Sequence, residues 1–307
     1  MNQMKNKIFG GIFMAIVALA LASHVHAEGL FGLFGHDTHK ASYQSHKGNE
    51  DTGTMASDDS IVGEVASVKN EALCKSQVLG GRGPEIVNAK LDRKTKMGCY
   101  DHFTIVHSGL TRTPLWSAEH LQKDTIIAAA KIKRKDSFHP ETRIPADERA
   151  ELSDYARSGY DRGHMAPNKD FPDKLSQWQC FTLANMIPQN PNNNQNLWEG
   201  IESATRTLAK KNGELYVITG PLFIGKTVES LKGRVMIPTN IYKAIYDPRS
   251  GRAAAYLVNN AAGMEYQVIS IAELERMAGI NLFPTLTDKI KNSPMDLPKP
   301  TPHSREH

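Results

Sequence analysis

Asp161-Arg162-Gly163-His164, then Asn185-Met186-Ile187-Pro188-Gln189-Asn190-Pro191-Asn192-Asn193-Asn194-Gln195-Asn196, are the stretches on which the reading of this chain turns. If the first is extended, Arg162 and His164, two residues apart, point to the same side. Gly163 between them lets the backbone run close to a ligand. A guanidinium grips phosphate oxygens with two parallel hydrogen bonds, and an imidazole titrates near neutrality, as a general base must. The second stretch runs into a helix in which Leu197, Ile201, Ala204 and Leu208 recur at helical spacing and face a core. Glu202, Arg206, Lys210 and Lys211 fall off that stripe. Asn194 sits near the helix start and Glu202 two turns later, a spacing that brings an amide oxygen and a carboxylate near one cation, directly or through its water. A hard divalent ion such as Mg²⁺ prefers such oxygen ligands and keeps much of its hydration. Base, phosphate-binding arginine and hydrated cation are the requirements of phosphodiester hydrolysis.

Outward from these stretches the pattern is mixed. Tyr100 to His107 has the alternation and β-branched content of a strand, and Thr113 to Leu121 follows as a turn into a second element. Leu215 to Gly220 is a continuous apolar run, as in a buried central strand. Ile241–Tyr246 and Ala253–Val258 flank the turn Asp247-Pro248-Arg249-Ser250-Gly251 and predict a hairpin. Ile271 to Gly279 reads as a short helix closed by glycine. The folded part is expected over residues 71–285, one α+β domain without internal repeats, followed by a disordered tail over 286–307.

Lys5 and Lys7, the apolar run Ile8–Ala22 and Val25-His26-Ala27 predict a secretory signal over residues 1–27. Residues 28–70, rich in Gly, Ser, Asp and His, read as a flexible linker. No later segment is long and apolar enough to span a bilayer, so no stable membrane insertion is expected once the signal is removed, and the destination is the periplasm or the exterior. The formal charge of +4 owes half its excess to the two leader lysines. Binding of a polyanion therefore rests on a local strip, Lys131-Ile132-Lys133-Arg134-Lys135, and not on overall charge. In an oxidising compartment the three cysteines, Cys74, Cys99 and Cys180, leave one unpaired; Cys74 with Cys99 is the preferred pair, since both precede the central motif. Asn192, Asn193 and Asn196 read as turn formers and Trp198 as a core anchor.

Asp161-Arg162-Gly163-His164-Met165-Ala166-Pro167, the Asn185–Gln189 block, Asn194-Gln195, Trp198 and Glu202 together resemble the DNA/RNA non-specific endonuclease family, the sugar-non-specific, endonuclease G-like ββα-metal nucleases. The similarity extends to Pro114–Ala118, Thr219-Gly220-Pro221 and Ser270–Pro284. The resemblance implies a central antiparallel β-sheet flanked by helices, with a ββα-metal active site. It also implies Mg²⁺ as cofactor, Mn²⁺ being an admissible substitute, and DNA and RNA as substrates. By position, His164 matches the general base, Asn194 the direct metal ligand, Glu202 the acid that holds metal-bound water, and Arg162 an arginine near the scissile phosphate. Asn185 matches a supporting asparagine, and Arg134 is the candidate second arginine. A homodimer is compatible with this reading. Two alternatives stand beside it: a phosphodiesterase acting on small nucleotides, and a nucleic-acid-binding module without catalysis.

Overall fold

The computed structural model describes residues 71–301; the expected signal over 1–27, the linker over 28–70 and residues 302–307 lie outside them. Six strands of alternating apolar character lie next to one another, joined in part by short turns, and a seventh closes an edge. In chain order they are β1 (Thr95–Cys99), β2 (Phe103–Ser108), β3 (Thr113–Gln122), then β6 (Glu214–Leu222), β7 (Asn240–Asp247), β8 (Arg252–Asn259) and β9 (Tyr266–Ile269). The intervening strands β4 (Asp161–His164) and β5 (Met186–Gln189) form a separate hairpin-like pair. The large sheet runs β9-β8-β7-β6-β3-β2-β1, antiparallel throughout, with the apolar run of β6 at its centre as expected. Thr113–Leu121 is one long strand and not a turn into a new element.

Strand alternation gives each face its own core. Trp116, Ala118, Ile218, Tyr242 and Ala244 face one way and pack with Ile271, Leu274 and Ala278 of a helix, α5 (Ile271–Ala278), which Gly279 ends in a left-handed conformation. Leu121, Val217, Ile241 and Ile245 face the other way and meet Leu197, Trp198 and Ile201. These last belong to the helix of the central motif, whose regular part is α4 (Glu199–Asn212). Other α-helices of more than four residues among those described are α1 (Glu71–Ser76), α2 (Lys123–Ala129) and α3 (Lys174–Cys180). Cys74 of α1 is bonded to Cys99 of β1, and Cys180 is free and buried. Among the described residues no helix is long and apolar enough to cross a membrane.

The stretch beyond 285 corrects the expectation of a disordered tail as far as 301. Asp288–Lys291 forms a helical turn, Pro294 bridges to Ala253, and Met295 is buried. Leu297 packs on the second core, and the Tyr256 hydroxyl donates to the Pro298 carbonyl. At Gly200 a Cβ would lie 2.8 Å from the Thr301 carbonyl oxygen, so the strap lies directly on α4. Proline-rich, polar composition conceals this because one Met and one Leu, spaced for an extended strap, carry the packing. Deleting residues 293–307 is expected to lower unfolding free energy by about 3 kcal/mol, the worth of re-exposing Met295 and part of Leu297. An unchanged urea midpoint would show that the strap contributes nothing.

Candidate active site

The β4–β5 pair aligns Gly163 with Ile187 and His164 with Met186. A Cβ at Gly163 would lie 2.0 Å from Gln189 Oε1, so only glycine fits here. Gln189 uses that space to donate from Nε2 to Asn193 Oδ1 (2.9 Å), joining the pair to the start of the motif helix. That helix opens with a wide π-turn, Asn193–Trp198, before α4 begins. Such turns are rare and recur at functional sites. Asn194 lies in it, and its amide nitrogen donates to Asp161 Oδ2 (2.9 Å), as does Gln195 (2.9 Å). The Asn194 amide oxygen is thereby turned away from Asp161 and accepts no hydrogen bond from the described residues.

His164 is buried, and its Nε2 has no hydrogen-bond partner among the described residues. Its ring stands edge-on to Phe181 (4.9 Å) and tilted to Phe138 (5.7 Å). Arg162 stacks over Phe138 at 3.9 Å, and Arg134 lies 5.3 Å from the Phe181 ring centre. Burial and then the charges of Arg134 and Arg162 lower the imidazole pKa to about 3, so the ring is neutral across the physiological range. Arg134 also donates to Asp136 and to Asn168 Oδ1 (3.3 Å).

The loop after His164 is tied down residue by residue. Asn185, fully buried, accepts from the Ala166 amide through Oδ1 (3.0 Å) and donates from Nδ2 to the carbonyls of Ala166 and Cys180 (2.9 and 3.0 Å). Both ends of its side chain are committed to backbone, which makes it a clamp on the loop. Lys169 reaches Glu199 (2.8 Å), and Asp170 accepts from Arg206 (3.1 Å). Arg206 was expected off the apolar stripe, yet it is buried, because Asp170, Glu199 (3.8 Å) and Glu202 (3.9 Å) compensate its charge. Burial pushes the Glu202 carboxyl up to about 7 against the pull of Arg206 and Lys243.

The structure thus gathers Arg134, Arg162 and His164 around two phenylalanines, fastens Asn194 to the same strand through Asp161, and groups Glu202 with Arg206 and Asp170. Sequence reading missed Asp161 as the anchor of Asn194, the Phe138 and Phe181 walls, and two charges beneath the site. Lys243 of β7 donates to Thr219 (2.7 Å) and lies 5.6 Å from the Trp198 ring. Glu119 of β3 is buried with neither oxygen hydrogen-bonded, and burial followed by the charge of Asp170 raises its pKa well above normal. A lone charge inside each apolar strand pattern was the available signal. Among the described residues no three His, Cys, Asp or Glu side chains cluster as a metal cage. The donor set on offer is one free amide oxygen with a carboxylate on the same helix, which suits a hard, largely hydrated ion.

Comparison with known proteins bears on this geometry. Over 210 residues, 61% of the chain, it is 34% identical to "Nuclease EXOG, mitochondrial" of Danio rerio, and the match spans 60% of that relative's length. Nuclease C1 of Cunninghamella echinulata var. echinulata is 32% identical over 206 residues, 61% of this chain and 82% of its own. A solved chain from the crystal structure of the EndoG/EndoGI complex superposes with a TM-score of 0.56 at 25% identity, covering 63% of this chain and 88% of that one. The sequence profile of the DNA/RNA non-specific endonucleases matches residues 85–289, two thirds of the chain, and the protein belongs to that family.

Proposed function

We propose that this chain is an exported, Mg²⁺-dependent endonuclease that hydrolyses phosphodiester bonds of DNA and RNA with little sequence preference. The observation that carries this reading is the neutral, buried His164, its Nε2 without a partner, set between Arg134 and Arg162 on a strand fastened to Asn194. In this reading His164 accepts the proton of an attacking water; its low pKa keeps the ring neutral, with one nitrogen free of a proton, before the reaction. Arg162, held over Phe138, and Arg134, braced by Asn168, grip the phosphate and stabilise the charge that develops on it. Asn194 would hold the ion through its amide oxygen, and Glu202 would orient water beside it. When bound there, the ion supplies Lewis-acid neutralisation of the phosphate. Asn185 and Asp161 position the loop and the metal-binding amide without touching substrate. Mn²⁺ is the admissible substitute.

Export is supported by the leader-like N-terminus and by the Cys74–Cys99 bond, which forms and persists in oxidising compartments. One of the named relatives carries "mitochondrial" in its name, and that word describes it alone.

Purified protein is expected to nick plasmid and degrade RNA, and to lose both activities in EDTA. His164→Ala should reduce cleavage by about 1000-fold, within the range for losing a general base; activity within tenfold of wild type would refute the assignment. A second expectation concerns pH. The folded pKa of His164 is about 3, below the ordinary 6.5, so below pH 6.5 the unfolded chain binds a proton that the folded chain refuses. Its contribution therefore makes stability fall as pH drops from 6.5 towards 3. In metal-free protein, His164→Asn should flatten the dependence of the urea midpoint on pH over that window; parallel wild-type and variant curves would contradict the buried neutral ring. A third concerns compartment: protein recovered from its native location should titrate one thiol per chain, Cys180, and only after denaturation. Three thiols would argue against an oxidising destination.

A further inference from the structure

We infer that the stacked rings of His139 and Trp178 form a seat for one unstacked nucleobase beside the hydrolytic site, which makes single-stranded nucleic acid the favoured substrate form. The inference rests on the nuclease reading above and deepens it. Of the three tryptophans, Trp116 and Trp198 are 2% and 1% exposed and sealed in the cores, whereas Trp178 on α3 is half-buried. Its ring lies parallel to that of His139, with centroids 4.1 Å apart and planes 6° from coincidence. The His139 ring is fixed by a hydrogen bond between Nδ1 and the Ser137 carbonyl (2.7 Å).

The position of the pair follows from backbone pairing. His139 bridges to Thr182, its amide donating to the Phe181 carbonyl and its carbonyl accepting from Leu183. Phe138, the residue before His139, and Phe181, one helical turn after Trp178, meet edge to face at 4.8 Å and both flank the His164 ring. The His139–Trp178 stack is therefore carried by the same two segments that supply the walls of His164. Lys131, Lys133 and Lys135 are exposed on the segment leading to it, and the Lys135 amide is hydrogen-bonded to Gln177, the neighbour of Trp178 (3.0 Å). Asp136, the acid of that strip, is already paired with Arg134. An aromatic ledge along a cationic track is the arrangement by which proteins bind single strands without reading sequence. A base inside a duplex has both faces covered by its neighbours, so only an unpaired or terminal base can take the seat.

The test uses EDTA-treated protein, so that binding is read without hydrolysis, with a twelve-residue oligothymidylate and a hairpin duplex as probes. Intrinsic fluorescence should be quenched on binding the single strand, since Trp178 is the tryptophan within its reach. Trp178→Ala should weaken single-strand binding at least tenfold and lower the ratio of single-strand to duplex kcat/KM by a similar factor through KM, and Trp178→Tyr, which keeps a ring, should restore most of both. Binding without quenching, or an equal loss on both substrate forms, overturns the seat while leaving the nuclease reading intact. Wild-type protein that neither binds nor cuts either form overturns the nuclease reading and the seat with it.

Discussion

The missing side chain at Gly163 is the constraint on which the site depends. Because nothing projects from that position, Gln189 can fold against the strand and reach Asn193, and the motif helix is drawn up to the β4–β5 pair. On the opposite side of the same strand Arg162 and His164 are left to face the phenylalanine walls. Guanidinium and imidazole therefore lie on one side, while the helix that carries Asn194 is attached through the other. Any larger residue at 163 would have to displace a fully buried glutamine, and the arginine, the imidazole and the amide would lose their common frame.

Electrostatic design follows from that frame. His164 is kept neutral by burial beside two guanidinium groups. Beneath it, Glu119, Asp170, Glu202, Arg206 and Lys243 place opposite charges in a dry interior, and burial drives the carboxyl pKa values upward. Removing one member of such a set leaves another charge uncompensated, so its members are expected to tolerate substitution poorly. The loop between His164 and α3 is rigid because Asn185, Asn168, Lys169 and Asp170 each commit a side chain to a different neighbour.

Much of the fold was legible. The apolar run Leu215–Gly220 did become the central strand, the Ile241–Val258 region did become a hairpin, and Gly279 does end a helix, because each is decided by local alternation, turn chemistry or a residue that tolerates positive φ. The tail beyond 285 misled because its few apolar residues carry no periodicity and find their partners only in the assembled cores, on α4, α5 and β8. Arg206 misled for a related reason: helical spacing alone places a charge on a surface, and it does not show that Asp170 from the preceding loop joins Glu199 and Glu202 of the same helix around it.

The sequence by itself determined which groups are available for chemistry: an arginine and an imidazole two residues apart, a glycine between them, and a helix with an asparagine near its start and a carboxylate two turns on. Those are properties of local spacing, and local spacing is what a linear chain can express. Only the tertiary structure decided that Asp161 turns the Asn194 amide, that Phe138 and Phe181 wall in His164, and that Trp178 stacks on His139. Each of these joins residues far apart in the chain, so its energy exists only once the sheet and its helices have brought them within contact distance.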